Sequence, residues 1–350
     1  MQFGKRAYYR LLLMPGLASS FRYAQRDRAT IFMLHRFRDV ESRVEGLDPS
    51  HLRRGLEYLR RNRYELVSLA ELFERLAGNG PKLRGAVAFT VDDGHLDQAE
   101  IGAPIFSAFD CPVTTFVTTG FLDGDLWPWF DKVAYIFSKT RRKSLSVRLG
   151  ETTVQYNVSP KSGRSAMSGD FAQRCKRVAD DEKNRAIARL AREAEVDLPD
   201  AAPPGYAPMT WDHLRACERR GMTFGPHSVS HPILSRTRPE QAAWEITHSW
   251  RRLREEAQNP VPIFCFPNGS YVDFGAREIA IAREAGFVGA VTAEFGHADV
   301  ASFQRGSDGP FKLKRVPFPE ELYFVAQYVS GIERFKQIVR GLASSAQPLR

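Results

Sequence analysis

From Thr30 onward, short apolar runs alternate with longer stretches in which apolar positions recur every three to four residues. The runs Thr30–Leu34, Ala86–Val91, Val113–Thr118, Met222–Phe224, Ile263–Phe266 and Val288–Thr292 are rich in strand formers, which predicts buried strands. His51–Arg61, Ser68–Leu76, Leu96–Phe109, Pro239–Glu256 and Gly275–Ala285 carry the helical spacing. Ser68 with Glu71 marks a capped helix start. Strands alternating with helices predict a parallel α/β fold joined by right-handed crossovers.

The rhythm breaks between residues 125 and 208. Trp127-Pro128-Trp129-Phe130 opens a helical stretch, Ser144–Val158 alternates like a hairpin turning near Gly150-Glu151, and Phe171–Ala194 is a charged helical run. Ala201-Ala202-Pro203-Pro204-Gly205 closes the excursion. The segment reads as an insertion between strands, placed as a cap over a groove. Trp127 and Trp129 could stack on a sugar ring there, or pack in the core as most tryptophans do.

Three strand ends carry chemistry. The run Gly85–Val91 leads into Asp92-Asp93-Gly94. Two adjacent buried carboxylates repel unless a cation lies between them, although Asp-Gly is also a common turn dipeptide. His227 and His231 lie between Pro226 and Pro232, so the pair sits on a loop or a single tight turn. Their spacing puts both imidazoles on one side. Beside an Asp-Asp-Gly, such a pair is the donor set of a metal-assisted hydrolase. A third run, Val261–Phe266, breaks at Pro267-Asn268-Gly269, where a turn would expose backbone N–H groups to an oxyanion or simply lead into a helix.

Composition narrows the picture. A chain of 350 residues, 43% apolar and 26% charged, suits a globular protein with a full core. Cys111, Cys175, Cys217 and Cys265 show no metal-ligand spacing, so reduced buried thiols are expected. The net charge of +9 is concentrated in residues 1–63, where fourteen Lys and Arg face six Asp and Glu. Residues 1–28 form a basic, aromatic segment whose apolar run is too short to span a bilayer and too broken for an export signal. It reads either as an amphipathic helix in peripheral contact with an anionic membrane or as an extra helix packed on the domain. No recognised motif accompanies the arginines, which argues against nucleic acid. The expected location is the cytoplasm, free or peripheral at the inner membrane face.

On these motifs the chain resembles the polysaccharide deacetylases with the NodB homology domain, carbohydrate esterase family four. Thr90-Val91-Asp92-Asp93-Gly94 differs by one residue from that family's Thr-Phe-Asp-Asp-Gly, and His227–His231 meets its His-Ser/Thr-x-x-His. Cys265-Phe266-Pro267-Asn268 meets its Arg-x-Pro-Tyr turn in part, and the phrases Pro112–Gly120, Thr210-Trp211-Asp212 and His231–Ser235 agree. The resemblance runs from about residue 31 to 319. It implies a distorted, incomplete (β/α) barrel of about seven strands over 29–124 and 209–320, with 125–208 inserted and 321–350 as a C-terminal helix and tail.

The resemblance also implies a divalent metal, usually zinc, held by Asp93, His227 and His231. Asp92 would be the base that deprotonates the attacking water, and the backbone N–H of Asn268, after Pro267, would stabilise the oxyanion. The implied reaction removes N-acetyl groups from an N-acetylhexosamine-containing polysaccharide or its lipid-linked precursor in cell-surface glycan biosynthesis. Two departures stand out: Cys265 replaces the arginine that orients the base, and no Leu-x-His supplies the acid. His297, by position, and His35, which could line the substrate pocket, are the candidates for that acid. An O-acetyl esterase on the same scaffold and a catalytically weakened glycan-binding relative remain the alternatives. Two histidines and a carboxylate also bind iron in oxygenases, but the strand–helix alternation argues against that reading.

Overall fold

In chain order the strands are β1 (Arg28–Leu34), β2 (Glu65–Leu66), β3 (Ala86–Asp93), β4 (Val113–Val117), β5 (Ser144–Leu149), β6 (Thr152–Asn157), β7 (Thr223–Pro226), β8 (Ile263–Cys265), β9 (Gly289–Phe295), β10 (Ala298–Asp299) and β11 (Leu313–Pro317). This computed structural model describes residues 13, 21, 25–41, 44–159, 161–332 and 334–335. Seven parallel strands run in the order β7-β4-β3-β1-β11-β9-β8, while β2 pairs with β3 and β10 with β1. The Val261 N–H donates to the Phe224 carbonyl (2.8 Å), drawing the approach to β8 against β7 and nearly closing an α/β barrel.

Helices α1 (Pro49–Arg61), α2 (Leu69–Ala77), α3 (Ala103–Ala108) and α4 (Thr119–Leu122) alternate with the first strands. Then come α5 (Trp129–Lys139), α6 (Arg164–Cys175) and α7 (Asp180–Glu193), followed by α8 (Trp211–Glu218), α9 (Pro239–Glu256), α10 (Ala276–Glu284), α11 (Val300–Phe303) and α12 (Leu322–Ser330). Strand alternation sorts side chains between two apolar layers. Phe32, Val87, Phe89 and Val91 pack outward against Leu52 and Leu56 of α1. Ile31, Ala86, Ala88, Ile263 and Val291 fill the interior with Leu72 and Phe73 of α2. Both faces are covered, which is why these strands read as unbroken apolar runs.

Between β4 and β7, α5, the β5–β6 hairpin, α6 and α7 enclose a core of their own that includes Phe137, Tyr156, Phe171, Ile187 and Leu190. The charged run expected over 171–194 is two helices, broken at residues 176–179. Ala179 turns to extended ψ, and Asp180, Asp181 and Glu182 then fill the first turn of α7, where acidic groups meet the positive helix end. The helix expected over 96–109 opens with a π turn at Gln98–Gly102, close to Pro104, which cannot donate to a regular ladder. Strand β11 was not among the expected strands.

Most of the basic 1–28 segment, and the tail beyond residue 335, lie outside the described residues. Among the described residues, no helix is long and apolar enough to cross a membrane.

Candidate metal centre

The carboxyl ends of the strands gather the chemistry, as in α/β barrels generally. At the end of β3 the chain reverses through two left-handed residues, Asp93 (φ 88°) and Gly94 (φ 95°). A non-glycine residue in that region is strained and persists only when its surroundings hold it. Gln98 supplies the hold: its side-chain amide donates to the His35 carbonyl (2.6 Å) and to the Asp92 carbonyl, and its Oε1 accepts the Gly94 N–H (3.2 Å). After β7, Ser228 (φ 63°) and His231 (φ 55°) are left-handed too. Here Glu245 of α9, fully buried, accepts the N–H groups of Val229 (2.8 Å) and Ser230 (2.9 Å) and the Ser230 hydroxyl. Ser228 Oγ accepts the His231 N–H at 3.0 Å.

These turns bring three side chains together. His227 Nε2 lies 3.6 Å and His231 Nε2 3.5 Å from Asp93 Oδ1. Donors about 2.1 Å from a tetrahedral zinc stand roughly 3.4 Å apart, so this spacing suits one shared ion. The His227 Nδ1–H donates to the Cys265 carbonyl (2.8 Å), which leaves the Nε2 lone pair facing Asp93. Burial lowers the imidazole of His227 to about 4 and pushes His231 well down, so both are neutral, as ligands must be. Burial, helped by the Asp92 and Asp131 charges, pushes the Asp93 carboxyl up to about 7. Three buried donors that resist charge or carry a poorly stabilised one fit a divalent cation.

Asp92 faces a different environment. Burial alone would raise its carboxyl, but the charge and hydrogen bonds of Arg315 prevail and hold it well below the usual carboxylate range. Arg315, on β11 and itself buried, grips Asp92 in a fork: Nη1 to Oδ1 at 2.7 Å and Nη2 to Oδ2 at 2.7 Å. Its remaining donors reach the Thr292 carbonyl (2.7 Å), Thr90 Oγ1 (3.0 Å) and Cys265 Sγ (3.3 Å). One carboxylate is thus locked ionised beside another that needs a cation.

The sequence profile of the polysaccharide deacetylase family matches residues 185–290, a stretch that carries His227, His231 and Asn268. Over that stretch the chain is similar to the polysaccharide deacetylase family. Among solved structures it is similar to the Streptococcus pyogenes deacetylase PplD in complex with acetate, with 17% identity, TM-score 0.56, and coverage of 86% of this chain and 98% of that one. It is similar to IcaB from Ammonifex degensii (17% identity, TM-score 0.52, 87% and 97% covered). It also resembles a de-N-acetylase from Aggregatibacter actinomycetemcomitans (13% identity, TM-score 0.51, 84% and 96% covered). At these identities the structures speak to the fold alone. No curated protein matches the chain by sequence.

A cavity of about 260 Å³ is lined by His35, Asp92, Asp93, His227, His231, Asn268 and Arg315, together with Trp129, Phe130 and part of α6. His35 is half-exposed, its Nε2 3.9 Å from Asp92 Oδ2. Asn268 is left-handed (φ 60°), and its buried Nδ2 has no partner. Pro267 precedes it without lining the cavity. Two expectations need correction. Trp127 does not line the cavity: it is buried against Tyr135 and Tyr206, with its Nε1 donating to the Pro199 carbonyl (3.2 Å). Its neighbour Trp129 takes the place at the site, donating to the His231 carbonyl (3.0 Å). His297 is tied to the Tyr328 carbonyl (2.8 Å) and lines a separate depression.

Sequence reasoning missed Arg315, which grips Asp92 from β11 and also reaches Cys265, the position where the resemblance leads one to expect an arginine. Its signal was an arginine in phase with Leu313 on the buried side of a short alternating run. Glu245 and Gln98 carried no such signal, because each acts on backbone atoms brought near only by folding.

Proposed function

We propose that the protein is a metal-dependent N-deacetylase acting on an N-acetylhexosamine-containing polysaccharide or its lipid-linked precursor, in the cytoplasm or at the inner membrane face. The observation that carries this reading is the meeting of Asp93, His227 and His231 in one cavity with an arginine-locked Asp92. Asp93, His227 and His231 would hold the cation, and nitrogen and carboxylate donors of this kind favour zinc. Bound there, it would polarise the acetamide carbonyl and acidify the attacking water.

The chain's own groups supply the rest. Asp92, kept ionised by Arg315, takes the proton of that water, and the fork of Arg315 fixes which oxygen faces it. The Asn268 turn offers the backbone N–H and the unpartnered Nδ2 to the developing oxyanion. His35 protonates the leaving amine: it is the candidate acid that lines the cavity. The similarity to a deacetylase solved with acetate and to a de-N-acetylase supports an acetyl amide as the scissile group.

The test combines metal analysis with acetate release from chitooligosaccharides and from an O-acetylated sugar, before and after chelation. Acetate from the amide, lost with the metal and restored by Zn²⁺, is the expected result. Release from the ester alone makes the protein an O-acetyl esterase. Bound metal with no release from any amino-sugar oligomer leaves a glycan-binding relative. Fractionation into the periplasm would overturn the proposed location.

A further inference from the structure

We propose that Lys176 forms an anion subsite beside the metal centre, so that the preferred substrate carries a phosphate or carboxylate near its acetamido group. The proposal deepens the N-deacetylase reading and rests on it. Helix α6 closes over the cavity with Gly169, Ala172 and Gln173, and Lys176 follows at the break before α7. There Lys176 lines the same cavity as the metal-facing histidines.

The charges around it do not balance. Lys183 pairs with Asp180 and lies 5.0 Å from the Trp129 ring, and Lys132 sits 5.8 Å from the Trp127 ring. The Lys176 ammonium makes no hydrogen bond or ion pair to any described residue, although the side chain is half-buried. Burial accordingly lowers its ammonium, and the Asp273 carboxylate opposes this only in part. Asp273 is itself engaged by the Ser270 N–H (3.1 Å). The other acidic groups on the cavity wall are spoken for: Asp92 by Arg315, Asp93 by the cation it would hold. A neutral sugar seated here would strip water from the ammonium and return nothing, whereas an anionic substituent completes a charge-assisted hydrogen bond.

Position at the end of α6 also suits a lysine that serves only the negative helix terminus. Such a role would move thermal stability and leave substrate preference alone. The experiment compares wild type, Lys176→Met and Lys176→Arg on three probes: chitotetraose, N-acetylglucosamine 1-phosphate and a tetrasaccharide alternating N-acetylglucosamine with glucuronate. Acetate release gives kcat and KM, calorimetry gives binding, and thermal melts check the fold. In Lys176→Met, KM for an anionic probe should rise roughly 10- to 100-fold, with kcat unchanged, KM for the neutral probe no higher than in wild type, and Lys176→Arg close to wild type. A rise for the phosphate or for the uronate identifies which anion the site takes.

Equal effects on neutral and anionic probes, or none, overturn the subsite. If no probe releases acetate, the N-deacetylase reading fails by itself. The calorimetric preference of wild type over Lys176→Met for N-acetylglucosamine 1-phosphate then decides the subsite separately.

Discussion

Replacing Arg315 by methionine removes the cation while leaving Asp92 buried. The wild-type guanidinium makes two 2.7 Å bonds to that carboxylate and three more to Thr292, Thr90 and Cys265, all in the interior. Breaking one partner of a buried pair costs about 3–5 kcal/mol, because the other charge stays buried alone. Asp92→Asn should cost a similar amount, since the amide accepts from only one prong of the fork, sets its own N–H against the other, and leaves the Arg315 charge buried and unpaired. The double mutant should therefore be more stable than the sum of the singles predicts, by about 1–3 kcal/mol.

The pH dependence gives a second signature. With Arg315 present the Asp92 carboxyl lies below its unfolded value, so its stabilisation is present above about pH 3.9 and is lost as pH falls toward the folded value. Without Arg315, burial, the largest influence on the same carboxyl, outweighs the remaining pull of His227 and His35 and raises it. The variant then gains stability on acidification and loses it as pH rises. The gap between wild type and Arg315→Met should accordingly be widest near pH 7 and narrow below about pH 4. Urea denaturation across that range measures it. An Arg315→Met protein as stable as wild type at pH 7, or a gap independent of pH, would refute the assignment of Arg315 as the partner of Asp92.

Other consequences are open to direct measurement. His231→Ala should lose bound metal by elemental analysis, whereas Asp92→Asn should keep the metal and lose turnover; an active His231→Ala enzyme would sink the proposed ligand set. Asp93 rests near 7 and must ionise to bind a cation, so metal affinity should fall roughly tenfold per unit as pH drops below 7. Titration showing flat affinity between pH 5 and 7 would contradict that. His35→Ala should reduce kcat about 10²- to 10⁴-fold on amides and much less on esters with good leaving groups, with metal content unchanged. Glu245→Ala should weaken metal binding without touching a ligand, because it frees the backbone turn that carries both histidines.

What this sequence determined by itself was local. Apolar runs and helical spacing announced the α/β alternation because both periodicities are written over a few consecutive residues. Asp92, Asp93, His227 and His231 were legible because each pair sits inside one short motif at the end of a strand. Tertiary structure decided what depends on contacts between distant segments. Arg315 reaches Asp92 across 223 residues, and the run Leu313-Lys314-Arg315-Val316-Pro317 is too charged to read as a buried strand until β1 and β9 flank it. The two tryptophans of the insertion differ by two positions in sequence, yet only the path of α5 puts Trp129 against His231 and Trp127 against Tyr206. A buried charge or a ring against a ligand is stabilised by its surroundings, and those surroundings exist only once the chain has closed around them.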